Sequence, residues 1–74
     1  MFEKMKEIIC NYVEVEPENI TLDSRFIEDL GFNSYDFMSF LGELEQEFDV
    51  TVDEQEVIHL HTVAEALNYL ETLK

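Results

Sequence analysis

Between Ser34 and Asp49 the apolar residues Phe37, Met38, Phe40, Leu41, Leu44 and Phe48 recur at steps of three and four. That period belongs to a helix with one buried face and excludes a strand, whose alternation would be every second residue. Asp36, Glu43, Glu45, Gln46, Glu47 and Asp49 fill the remaining positions. The start of this helix is also marked. Asn33 is an N-cap residue, able to accept from a free amide of the first turn. Asp36 stands three residues on, a weaker relative of the capping box. Gly31 permits a bend just before. The sequence therefore predicts a helix over 34–48, with Ser34 in its first turn.

The flanking chain reads the same way. Phe2, Met5, Ile8, Ile9, Tyr12 and Val13 form an apolar stripe, predicting a first helix that ends near Glu14, with Pro17 beyond it as a stop. A long connection follows, up to Asn33. An unstructured loop of that length is uncommon in a compact domain. Val15, Ile20, Leu22, Phe26, Ile27 and Leu30 are its expected anchors, with a short helical turn near 24–27 capped by Asp23 or Ser24. Val50, Thr51 and Val52 look extended. Asp53 and Glu56 frame the start of a short third helix reaching Ile58 or His59, with Val57 and Leu60 inward. Thr62 and Glu65 match a capping box for a fourth helix, whose inner face is Val63, Ala66, Leu67 and Leu70. His59 and His61 would form a polar hinge between these two helices. The expected core is Ile8, Ile9, Ile20, Phe26, Leu30, Met38, Leu41, Leu44, Phe48, Val52, Val63, Ala66 and Leu70.

A chain of 74 residues has room for one domain with one modest core. Four Lys and Arg against 18 Asp and Glu leave a net charge of −14. Such a surface repels nucleic-acid phosphates and anionic lipid and attracts proteins with basic patches. Glu3, Lys4, Lys6 and Glu7 interrupt any apolar run of secretory-signal type, and no run approaches membrane-spanning length. Cys10 is the one cysteine, which excludes an internal disulfide and fits a reducing cytoplasm. It is expected to be a half-exposed filler of the first helix. There is no EF-hand spacing, cysteine pair or His-Glu-x-x-His, so no metal site is expected beyond weak, diffuse binding of divalent ions to carboxylates.

Ser34 is the residue with chemical potential. Its hydroxyl falls near the unsatisfied amides of a helix start, where an attached anion would meet the positive end of the helix dipole. No neighbouring residue in sequence can act as its base, and the two histidines lie far along the chain, so a hydrolytic nucleophile and catalytic residues in general are not expected. On local pattern alone, Ser34 is better described as an ordinary helix-start serine, since serines at helix starts are common.

The stretch Phe26-Ile27-Glu28-Asp29-Leu30-Gly31-Phe32-Asn33-Ser34-Tyr35-Asp36 resembles the acyl carrier protein family around its modified serine. Leu44-Glu45-Gln46-Glu47-Phe48-Asp49 resembles the end of that family's second helix, and the similarity runs from Ile8-Ile9 to the last helix. The resemblance implies an all-α, four-helix acyl-carrier-like bundle with a short third helix and a long loop between helices one and two. It implies 4′-phosphopantetheine on Ser34, derived from coenzyme A, with acyl groups held on its thiol as thioesters for fatty-acid, polyketide or related biosynthesis. The implied partners are a phosphopantetheinyl transferase and acyl-transferring or synthase enzymes with basic patches, meeting a monomeric carrier. Tyr35, Asp36, Ser39, Glu43, Gln46 and Glu47 would face them, with Glu54 and Glu56 below. Met38, Leu44, Val52, Val57 and Ala66 would line a space for the acyl chain between the second and third helices. Asn33 replaces the family's usual Asp and Tyr35 its usual Leu, while Ser39 and Gly42 depart from it on the exposed side. An aminoacyl or peptidyl carrier, and an acidic helical adaptor that has lost the modification, are the alternative readings.

The excess of negative charge strains the folded state by self-repulsion. Added NaCl or Mg²⁺ is therefore expected to raise the melting temperature. Equal values at low and moderate salt would contradict this reading of the charge.

Overall fold

A computed structural model describes residues 1–73. It is all-helical: α1 is Phe2–Ile9, α2 Ser34–Phe48, α3 Glu54–Val57 and α4 Val63–Leu73, with a 3-10 turn at Pro17–Asn19 in the long loop. No strand occurs among the described residues, although Arg25 and Thr62 form one isolated antiparallel bridge.

Helix α2 starts and stops where local chemistry demands. Asn33 Oδ1 accepts from the Asp36 amide at 2.7 Å. Asp49 ends the helix in the left-handed region (φ 55°) and donates its amide to the Glu45 carbonyl, the usual geometry of a helix C-terminus. The Glu45 carboxylate then takes the Val52 amide at 2.8 Å, which ties down the extended segment that follows. Helix α1 is shorter than its apolar stripe predicts. After Ile9 the ladder tightens: the Asn11 amide reaches the Ile8 carbonyl at 3.0 Å and the Tyr12 amide the Ile9 carbonyl at 2.9 Å. These are bonds of the 3-10 type, common where a helix closes.

The long loop is ordered as a strap across the start of α4. The Val63 amide donates to the Ser24 carbonyl at 3.0 Å, the Ala64 amide to the Leu22 carbonyl at 2.9 Å, and the Phe26 amide to the His61 carbonyl at 2.9 Å. Two first-turn amides of α4, which lack partners within the helix, thus find them in a segment some forty positions earlier. The capping box completes the job. Glu65 donates its amide to Thr62 Oγ1 at 3.2 Å, and its Oε1 accepts from the Thr62 amide at 3.0 Å and the His61 amide at 2.9 Å. These amides, His61 first and Thr62 second, hold the Glu65 carboxyl below its ordinary pKa.

The core comprises Met5, Ile8, Ile9, Ile20, Phe26, Leu30, Phe32, Phe40, Leu41, Leu44, Val57, Val63, Ala66, Leu67 and Leu70. Several expectations need correction. Met38 is 44 % exposed, while Phe48 and Val52 are only half-buried against the core. In the strap, Ile20, Phe26 and Leu30 point inward, but Leu22 and Ile27 are exposed. Leu22, Ile27 and Val52 lie in extended or turning segments, which offer the core only some of their apolar side chains, whereas Met38 sits on the side of α2 that faces a cleft and Phe48 is its last residue. The helical turn expected near 24–27 forms slightly later, closed by the Asp29 amide on the Arg25 carbonyl at 3.0 Å, and its cap is neither Asp23 nor Ser24. The Arg25 amide is capped by Asp29 Oδ2 at 2.9 Å, and Ser24 Oγ instead turns back to accept from the Thr21 amide at 3.0 Å. The centre of the core is aromatic. Phe26 lies 5.0 Å from Phe37, 5.4 Å from Phe40 and 5.6 Å from Phe32 by ring centroid, and Tyr12 joins the group at 5.9 Å from Phe32. These are tilted and edge-on contacts of the favourable kind.

Gly42 in mid-α2 has no such packing role, since a Cβ there would meet nothing within 4 Å. Gly42→Ala should raise the unfolding free energy by about 1 kcal/mol through helix propensity. A urea titration checks it: the midpoint should rise with the slope unchanged.

Candidate functional site

The segment before α2 places Ser34. Gly31 takes φ 85°, a left-handed turn that suits a residue without a Cβ. Phe32 then enters the core at 2 % exposure, pinned by its amide to the Phe26 carbonyl at 2.9 Å. Asn33 caps, and Ser34 follows as the first residue of α2, exposed to solvent. The Ser34 hydroxyl makes no hydrogen bond among the described residues, and the Ser34 and Tyr35 amides likewise find no protein acceptor there. An unpartnered oxygen thus sits at the positive end of a 15-residue helix.

Ser34 also stands at the edge of an apolar cleft of about 260 Å³. Phe37 and Met38 line it from α2, Val57 from α3 and Ile58 from the C-cap just beyond it, and Ile27, Leu60 and His61 from the neighbouring loops. Of the residues expected to line an acyl space, Met38 and Val57 line this cleft. Leu44 and Ala66 are instead in the closed core at 1 % exposure, and Val52 is half-buried away from the cleft. Ile27, Phe37, Ile58, Leu60 and His61 were not expected there. An Ile at the end of a short acidic helix is a signal that was available for Ile58, which is 65 % exposed. No local signal marks His61, because the strap brings it there. Its presence does not make Ser34 a hydrolytic nucleophile: no hydrogen bond joins the serine to any base among the described residues.

The outward residues divide into free and engaged. Tyr35 is 80 % exposed beside Ser34. Asp36 and Ser39 are half-buried, and Gln46, Glu47 and Glu54 are exposed. Glu47 and Glu43, with Gln46, border a polar groove against Ile8 of α1, where Lys4 Nζ approaches Glu47 at 4.0 Å. Glu43 accepts from the Tyr12 hydroxyl, and Glu56 accepts from the Tyr69 hydroxyl at 3.1 Å. The bond to Glu43 is the main reason the Tyr12 phenol is pushed up to about 12, with burial second. Cys10 is half-buried, its thiol donating to the Val15 carbonyl at 3.3 Å. No cluster of ligating side chains suited to a metal ion occurs among the described residues, and no helix there is long and apolar enough to cross a membrane.

The family model for the phosphopantetheine attachment site matches residues 3–70. This chain belongs to the phosphopantetheine-binding acyl carrier protein family. It is 32 % identical to the acyl carrier protein of Wolinella succinogenes over 74 residues, covering 100 % of this chain and 97 % of that one. It is 30 % identical to the acyl carrier protein of Sulfurovum sp. (strain NBC37-1), covering 99 % and 97 %. The solved structure of the acyl carrier protein from Enterococcus faecalis superposes with a TM-score of 0.85 at 27 % identity, over 99 % of this chain and 92 % of that one. As an acyl carrier protein the chain is a carrier and not a catalyst, and its prosthetic group is a covalently attached 4′-phosphopantetheine. The site suits such a group: an exposed hydroxyl without a protein partner, two free amides beside it, and an apolar cleft within reach.

The Tyr12 contact has a measurable consequence. A phenol pKa raised from about 10 to about 12 on folding favours the native state fully below pH 10, and that contribution is lost as pH climbs through 12. Stability should therefore fall across this window, and Tyr12→Phe should flatten the fall. Urea unfolding at several alkaline pH values, with phenolate absorbance followed in parallel, tests it.

Proposed function

We propose that Ser34 is the attachment oxygen for the 4′-phosphopantetheine arm and that residues 1–74 act as one carrier domain in the cytoplasm. When bound, the arm supplies a thiol on which acyl groups are held as thioesters. The observation that carries this reading is the pairing of an exposed, unpartnered Ser34 hydroxyl with the apolar cleft beside it. The first-turn amides of α2 favour a phosphodiester on that oxygen. The cleft between α2 and α3 offers partial shelter to an acyl chain, with Met38 and Ile58 as its half-open rim.

Delivery follows from the surface. Tyr35, Met38, Ile27 and Ile58 make an apolar rim around Ser34. Asp36 stands in the first turn of α2 beside it, Glu54 and Glu56 lie on α3, and Glu43 and Glu47 extend the acidic surface further along α2. A phosphopantetheinyl transferase, and synthase or acyl-transferring enzymes with an apolar contact ringed by basic residues, would complement that pattern. Each exposed ion pair contributes about 0–1 kcal/mol, so the summed field acts on encounter rate more than on affinity. Fast, weak contacts suit a carrier that must leave each enzyme it serves, in fatty-acid, polyketide or related biosynthesis.

Incubating the apo protein with coenzyme A and a broad-range phosphopantetheinyl transferase should add the mass of one phosphopantetheine group. Ser34→Ala should abolish the gain. A wild-type protein whose mass stays unchanged with several transferases would point instead to an unmodified acidic adaptor.

A further inference from the structure

We propose that the Tyr69 hydroxyl is the positioning group that holds α3 against the cleft and thereby sets how well a longer acyl chain is sheltered there; the cargo half of this rests on the carrier function above. Helix α3 has four residues, and Val57 is the one it buries. A helix that short is not stable alone, and an element with so few apolar contacts opens at low free-energy cost. Asp53 Oδ1 caps it by accepting from the Gln55 amide at 2.8 Å.

Two further bonds come from outside. The Asp53 amide donates to Tyr69 Oη at 2.9 Å, and Tyr69 Oη–H donates to Glu56 Oε1 at 3.1 Å. In a capping box Glu56 would itself reach the Asp53 amide. Here a phenol from α4 stands between them, so the first turn of α3 is tied to another helix rather than to itself. Tyr69 lies on α4, which is anchored by Val63, Ala66, Leu67 and Leu70. The hydroxyl therefore joins the weakest-held element to a well-held one.

That element is also a wall of the cleft, through Val57 and Ile58, opposite Ser34, Phe37 and Met38 of α2. Movement of α3 away from α4 must break both bonds to Tyr69 before Val57 can leave the core. Burial raises the Tyr69 phenol above its ordinary pKa, the Asp53 amide opposes this, and the Glu56 carboxylate adds to the rise. The donor to Glu56 is thus retained at neutral pH.

Tyr69→Phe keeps the ring and removes the latch. In the apo protein, amide exchange at Val57 and Leu60 should quicken by about tenfold, the equivalent of ~1.4 kcal/mol. Exchange at Leu67 and Leu70, which reports global opening, should change much less. Glu56→Ala, which removes only the acceptor, should give a smaller effect in the same direction. On the modified protein, hydroxylamine cleavage of an octanoyl thioester should speed up severalfold in Tyr69→Phe, while an acetyl thioester, too short to enter the cleft, should not change. Equal changes for the two thioesters, or α3 exchange that moves only with α4, would overturn the proposal. A Ser34 that never accepts the arm removes the cargo half, while apo exchange still decides whether Tyr69 holds α3.

Discussion

Three backbone hydrogen bonds between the long loop and the start of α4 close this molecule on itself: Phe26 to His61, Val63 to Ser24 and Ala64 to Leu22. They answer a requirement that no single segment can meet. Helix α4 begins with amides that need acceptors, and the loop has carbonyls that would be costly to leave unpaired near a core. Joining the two fixes Phe26 over the aromatic cluster, and the Phe26 carbonyl then receives Phe32. Phe32 in turn sets where α2 begins. The position of Ser34 is thus inherited from a contact made on the far side of the sequence.

Around that frame the molecule separates two kinds of surface. A charge of −14 spread over 74 residues covers most of it, and the apolar side chains left exposed at Ile27, Tyr35, Met38 and Ile58 gather near Ser34 and the cleft. Scattered exposed apolar residues need no explanation, whereas a grouped set beside a reactive position does. Like charge on two copies opposes their close approach, and opposite charge on another protein favours it. Helix α3 forms one side of this region and is held by one buried valine and one tyrosine hydroxyl, so the region's shape depends on few contacts.

Residue by residue, the legible features are those whose cause lies within about one helical turn. The apolar period from Phe37 to Phe48 marked α2, and Asn33 and Phe48 bounded it as the structure does. Thr62 and Glu65 announced a reciprocal cap that forms on both sides. Gly31 marked a turn that takes a positive φ. Asp53 announced a cap that forms, but its expected partner Glu56 is drawn to Tyr69. Misreadings began where burial depends on a neighbour from elsewhere. Met38 shares a stripe with Leu41 and Leu44, yet it faces the cleft while they face the core. Leu22 and Ile27 are as apolar as Ile20 and Leu30, yet they lie on the outer side of the strap.

The amino-acid sequence by itself therefore determined the four helices, the N-caps at Asn33, Asp53 and Thr62 and the presence of a serine at the start of α2, because propensity, periodicity and capping act over a few neighbouring residues. Its likeness to a carrier family supplied the chemistry that local pattern left open at Ser34. Only the tertiary structure decided which apolar residues close the core and which line the cleft, that His61 comes to the cleft beside Ser34, and that Tyr69 bridges Asp53 and Glu56. Those outcomes depend on distant backbone groups satisfying one another, and no periodicity in one segment records where the other will lie.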